Sequence, residues 1–246
     1  DADADADADS DTDTDTEFPE GDYSEDEVGI AAMAVEMPAS MILVVTMIAA
    51  FTEEGGCPTV TENADGTMFI EGNCTSADGT VFEGTVDFGA ETVTWSGFSI
   101  GDADFIMGMD GTMTHDTTGL VTNATTTFGS PEPGMAMEFH YTDHTISDLT
   151  TYFDVAFGDA GSYTMSGEQT IPGVDTMTIA ATVSHDQICD QERDDLTFTL
   201  TGTRDTITAT ESKDACDGCL DWTTNSSSGT LCNEEEDTGI DTGNSR

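Results

Sequence analysis

Apolar positions are spaced in two different ways along this chain. From 28 to 51 nearly every residue is Ala, Met, Val, Ile or Leu, whereas from 57 to 232 apolar residues alternate with Thr, Asp and Glu in short runs broken by glycine. The first pattern predicts a helix over residues 24–54. Ser24-Glu25-Asp26-Glu27 reads as a capping box, in which the serine hydroxyl takes an amide of the first turn and Glu27 reaches back to the amide of Ser24. Gly55-Gly56 and Cys57-Pro58 supply the stop. Pro38 has no amide hydrogen and crowds the carbonyl four residues before it, so a kink, or two shorter helices, is expected there.

Residues 41–51 are apolar all round apart from Thr46, a pattern that demands a covering of protein or lipid. The run is long enough for a bilayer span, which needs about 20 residues. However, Glu36 near mid-span would cost roughly 3 kcal/mol, and no Lys or Arg flanks the run to orient it. A signal peptide needs a basic leader, and the residues before this run are acidic. A buried core helix is therefore expected, with Met33, Met37 and Met41 as core filling.

The second pattern predicts a β-meander. Alternation is clearest in Phe82-Gly84-Val86-Phe88, Met135-Met137-Phe139-Tyr141, Met177-Ile179-Ala181-Val183 and Leu196-Phe198-Leu200, so one face is apolar and the other wet. Asp65-Gly66, Asp78-Gly79 and Asp110-Gly111 read as hairpin turns. Val93 and Trp95 fall on one parity and Phe98 and Ile100 on the other, which a β-bulge at Gly97 reconciles. At typical strand length the runs make roughly 11 to 13 strands. The expected fold is mainly β: a large antiparallel meander curled into a half-barrel or barrel around one N-terminal apolar helix.

Charge changes the picture at both ends. The 4 Lys and Arg face 51 Asp and Glu, for a formal net charge of -47. Such a chain has no basic surface to displace counterions, which excludes nucleic acid as a partner and charge-driven binding to an anionic membrane. Near-absence of Lys points to salty surroundings, where screening relieves self-repulsion. Residues 1–23 are expected to be a disordered acidic tether, 24–232 a single domain, and 233–246 a disordered acidic tail.

The Asp-Ala and Asp-Thr alternation of residues 1–17 resembles the acidic low-complexity tether behind the lipid-modified cysteine of bacterial envelope lipoproteins. The resemblance implies an exported protein, periplasmic or at the cell surface, attached to the outer membrane by an N-terminal lipid that this sequence does not contain. A start at Asp1 agrees with a removed leader. Six cysteines, together with sequons at Asn73, Asn123 and Asn225, fit an oxidising compartment.

Spacing suggests how those cysteines pair. A two-residue turn at Asp65-Gly66 sets Cys57 opposite Cys74 in a non-hydrogen-bonded pair, with Cα atoms about 4.5 Å apart. A turn centred on Asn225-Ser226 sets Cys219 opposite Cys232 and leaves Cys189 for Cys216, with exchange between Cys216 and Cys219 as the alternative. A zinc site from Cys189, Cys216, Cys219 and Cys232 has only one of the two close pairs a zinc ribbon shows. Cys216-Asp-Gly-Cys219 is too crowded by acids for a reactive redox pair.

Other candidates for chemistry give way to plainer readings. Glu138, His140 and His144 share one parity of a predicted strand, opposite Met137 and Phe139, and so read as exposed. His115-Asp116 and Ser184-His185-Asp186 put acid and imidazole on opposite strand faces, and no nucleophile elbow is present. Met107 with Met109, and Met135 with Met137, fall to the core rather than to a soft metal. No catalytic residue, metal or cofactor is expected. The sequence reads as a non-enzymatic exported envelope domain presenting an acidic β-surface. The alternative is a carrier of an apolar ligand or lipid between sheet and helix, an outline similar to that of periplasmic lipoprotein carriers.

Overall fold

The computed structural model describes residues 21–51, 56–116, 119–157, 159–185, 195–211 and 219–232. Its first element is the expected helix, α1 (Glu25–Phe51), continuous through Pro38. The capping box forms as read: Ser24 N donates to Glu27 Oε2 at 2.7 Å, and Glu27 N donates to Ser24 Oγ at 3.3 Å. The acidic tether up to residue 20, the stop at 52–55 and the tail from 233 lie outside the described residues. Tyr23, assigned to the tether by sequence, is instead buried in the core.

Three short strands follow, β1 (Thr59–Glu62), β2 (Met68–Glu71) and β3 (Cys74–Thr75). Longer ones are β4 (Val81–Phe88), β5 (Thr92–Gly101), β6 (Ile106–Asp116), β7 (Gly119–Gly129) and β8 (Ala136–Ser147). After a short helix, α2 (Leu149–Ala156), come β9 (Gly161–Ile171), β10 (Asp175–His185) and β11 (Asp195–Thr201). The series ends with β12 (Thr206–Glu211), β13 (Cys219–Thr223) and β14 (Ser228–Cys232). These form one antiparallel sheet of 14 strands in sequence order, except that β2 and β3 both pair with β4.

A closed barrel does not form. The strand order is a line with β1 at one edge and β14 at the other, and the sheet is neither closed nor strongly curled. Closure would require these two edges to exchange hydrogen bonds. Instead β1 is four residues long and mostly exposed, while β14 meets the helix: a Cβ added to Gly29 of α1 would touch Leu231 at 3.8 Å.

Bulges keep the apolar residues on the inner face where alternation alone fails. At Gly97 (φ 54°) the pairing of β5 with β6 shifts between Trp95 and Phe98; of the four residues expected inward, Val93, Trp95 and Phe98 are buried and Ile100 is half-buried against the core. Asp110-Gly111 is not a hairpin turn. It lies inside β6 opposite that bulge, where Asp110 Oδ1 accepts from Gly97 N at 2.8 Å. In the first hairpin Glu62 pairs with Met68, one residue out of the expected register, and Cys57 and Cys74 still form a disulfide with Cα atoms 5.9 Å apart. Cys219 pairs with Cys232 in register and in a disulfide; Cys189 and Cys216 lie outside the described residues.

The core runs along the inner face, with Trp95, Phe98, Phe139, Phe198, Met41, Met113 and Met177 among its largest fully buried side chains. On α1, residues Val28, Ala31, Ala34, Val35, Met41, Ile42 and Val45 are buried, whereas Thr46 and Met47 are exposed. By length and apolarity α1 matches a membrane span or signal sequence, yet more than half of its most apolar stretch is buried within this fold.

Candidate functional site at the helix and sheet interface

The polar groups of the interior gather where α1 meets the sheet, in two clusters. The first clasps the start of the helix. Asp175, at the start of β10 and fully buried, accepts from Tyr23 Oη at 2.5 Å, Thr203 Oγ1 at 2.7 Å, Thr203 N at 2.9 Å and Arg204 N at 3.1 Å. Arg204 donates to Glu27 Oε1 at 2.7 Å, to Asp22 O at 2.7 Å and to Gly21 O at 3.1 Å, and stacks over the Tyr23 ring at 4.5 Å. Asp22 accepts from the hydroxyls of Thr224, Ser226 and Ser227 in the turn between β13 and β14. Gly202 is pressed against Tyr23 and Asp175 with no room for a side chain.

These partners set the ionisation of the clasp. Burial pushes the Glu27 and Asp175 carboxyls up, but hydrogen bonds from Arg204 and Ser24 to the one, and from Tyr23 and Thr203 to the other, hold both below the usual range. Hydrogen bonds from Ser226 and Ser227 depress Asp22 well below it. Burial, with the hydrogen bond to Asp175, raises the Tyr23 phenol. One of the chain's 4 basic residues is thus spent on fastening the helix.

The second cluster lies under the middle of α1. In an unbroken helix the Ala34 carbonyl would accept from the amide of residue 38, which proline lacks. Tyr141 Oη, from β8, donates to that carbonyl at 2.7 Å. His144 Nε2 lies 3.0 Å from Val35 O, and Gln169 Nε2 from β9 donates to Ala31 O at 3.2 Å. Since a carbonyl only accepts, His144 Nε2 carries a hydrogen; burial lowers the ring's pKa to about 4 and so favours its neutral form. Burial also pushes the Tyr141 phenol up. Thr122 and Thr126 of β7 complete this fully buried polar patch.

His144 corrects a sequence expectation. Glu138 and His140 are exposed as read, with His140 Nδ1 2.8 Å from Thr125 Oγ1, but His144 is fully buried. A bulge at Asp143 (φ 49°) shifts the pairing of β8 with β9 and turns His144 inward. Asp143 N donates to Asn123 Oδ1 at 3.0 Å on the neighbouring strand, which also bulges there. Glu138, His140 and His144 are therefore not brought together, and among the described residues no group of three metal-type ligands forms.

The remaining candidates separate in the same way. His115 is half-buried and Asp116 exposed at the end of β6, beside a cleft of about 390 Å³ that Glu91 and Thr145 also line. His185 is buried, Ser184 half-buried, and Asp186 lies outside the described residues. The Cys219 to Cys232 disulfide takes two sulfurs out of the four-cysteine zinc set. Met109 is core and Met107 half-buried; Met135, expected in the core, is 63% exposed in the turn before β8. An open cleft of about 290 Å³ beside Ile30 of α1 is lined by Ala136, Met137 and Glu138 of β8 and by Ile171, Pro172 and Val174.

Comparison with protein-family models, curated proteins and solved structures finds no match to the chain.

Proposed function

We propose that this is a non-enzymatic exported envelope domain that works through its outward β-surface. The observation that carries the reading is how the polar groups are divided between the two faces. Inside, Tyr23, Glu27, Tyr141, His144, Gln169, Asp175 and Arg204 bond the helix or its clasp. Outside, the paired rows Thr178, Thr201, Thr206 and Thr182, Thr197, Thr210 cross β10, β11 and β12, with Glu83, Asp87, Asp110, Glu138, Glu168 and Asp221 elsewhere on the exposed face. The disulfides fit an exported protein. Anchorage at the outer membrane through the acidic stretch of residues 1–17, and adaptation to salt, belong to the same reading.

A Thr208→Cys variant tests it, because Thr208 is exposed on that face. In intact cells of the producing organism a maleimide that crosses the outer but not the inner membrane is expected to label this thiol. Labelling only after lysis would contradict the reading.

The cleft beside α1 favours a second reading, a carrier of an apolar ligand. Lipid extraction and mass spectrometry of protein purified from its native source checks it: a carrier retains a stoichiometric lipid, and a lipid-free extract contradicts that role.

A further inference from the structure

The inner face of the sheet is uncovered at one end. Its rows of paired residues run across the strands, and the row of Phe98, Met109, Thr126 and Phe139 is buried to 2% exposure or less. The next row outward, Ile100, Met107, Phe128 and Met137, is paired residue to residue across β5, β6, β7 and β8 in the same way. It is wholly apolar and only half-buried. Phe105, 39% exposed in the turn between β5 and β6, packs edge-on against Phe128 with ring centroids 4.8 Å apart. At its β8 end the row runs into the cleft of about 290 Å³ beside Ile30.

Resting on the carrier reading, we infer that this row and cleft bind a single alkyl chain whose head group carries no negative charge. Neighbouring strands are about 4.8 Å apart, so four of them offer an apolar track of roughly 15 Å. The cleft is at the small end of ligand sites, which start near 300 Å³, and its size matches one chain rather than a two-chain lipid. Methionine and phenylalanine adapt to a featureless chain, since the thioether is flexible and polarizable. Charge decides the head group: the one charged residue that lines the cleft is Glu138, exposed at its rim, and the chain carries a net charge of -47. The same charge disfavours a second copy of the protein as the occupant.

The test uses methyl-labelled methionine and NMR with alkyl maltosides below their critical micelle concentrations. Met107 and Met137 are expected to shift saturably, while the fully buried Met113 and Met177 stay in place. Affinity should rise about fourfold per added methylene from octyl to decyl. Met137→Glu should weaken binding at least tenfold, with Phe105→Glu as the second variant if the first fails to fold, since Phe105 is 39% exposed and packs on Phe128 of the row. Dodecanoate should bind at least tenfold more weakly than dodecyl maltoside at low salt.

Absence of a saturable shift at Met137, or equal shifts at all methionines, overturns the site. Equal binding of dodecanoate overturns the head-group assignment. The carrier reading fails separately: a site that binds maltoside in protein whose native extract is lipid-free stands as a site without that role.

Discussion

The two polar clusters under α1 fasten the same helix by different means. At its start, carboxylates and Arg204 bond one another, and Asp175 alone accepts hydrogen bonds from Tyr23, Thr203 and Arg204. Under its middle, neutral side chains bond the helix backbone, and His144 Nδ1, Gln169 Oε1 and the hydroxyl of Thr122 are buried without a partner among the described residues. The clasp is charged and saturated; the cradle is neutral and only partly satisfied. Removing a clasp acceptor strands several buried donors, whereas removing a cradle donor strands one carbonyl.

The largest effect is expected at the clasp. Asp175→Ala leaves the Tyr23 hydroxyl and the Thr203 and Arg204 amides without their acceptor, and should lower unfolding free energy by about 3 kcal/mol or more. Chemical denaturation measures this directly, and a loss below about 1 kcal/mol would show that the clasp is not a saturated unit.

Acid separates the clusters next. In the native state His144 has its pKa lowered to about 4, against an ordinary value of 6.5. As pH falls between these values the unfolded chain binds a proton that the native protein refuses, so stability is complete above the window and declines through it. The loss is on the order of 3 kcal/mol, read in about 1 M salt to screen the carboxylates. His144→Gln should flatten this part of the curve. The clasp carboxylates, whose pKa values are lowered, keep their contribution until lower pH, where it is lost in turn.

How legible these regions are in the sequence follows from how local their causes are. The capping box at Ser24, the bulge at Gly97 and the turn that sets Cys219 opposite Cys232 each depend on a few adjacent residues, and all three are as read. Asp110-Gly111 has the composition of a turn but serves as the partner of a bulge, because Gly97 on the neighbouring strand needs the Asp110 carboxylate. His144 is misplaced by parity because the bulge at Asp143 is stabilised by Asn123, twenty residues away. α2 goes unpredicted, although Asp148 caps it by accepting from Thr151 N, since eight residues carry too weak a helical period. The clasp is illegible for a plainer reason: Arg204 and Glu27 are 177 residues apart, and nothing local marks either as the other's partner.

A smaller effect bears on the outer surface, where charge is spread rather than clasped. Melting temperature should rise as monovalent salt increases from about 0.01 M to about 1 M, over which the Debye length shrinks from about 30 Å to about 3 Å. A flat response would remove the case for adaptation to salt.

Side chains of the sheet replace a backbone hydrogen bond that Pro38 denies to α1, and so make this apolar helix a partner of this sheet. A double-mutant cycle between Tyr141→Phe and Pro38→Ala tests it most directly, with unfolding free energies from chemical denaturation. With Pro38 present, Tyr141→Phe should cost about 1 to 2 kcal/mol by stranding the Ala34 carbonyl. In the Pro38→Ala background residue 38 regains an amide for that carbonyl, so the cost should fall close to zero, a coupling of about 1 kcal/mol or more. Equal costs in the two backgrounds would contradict the account.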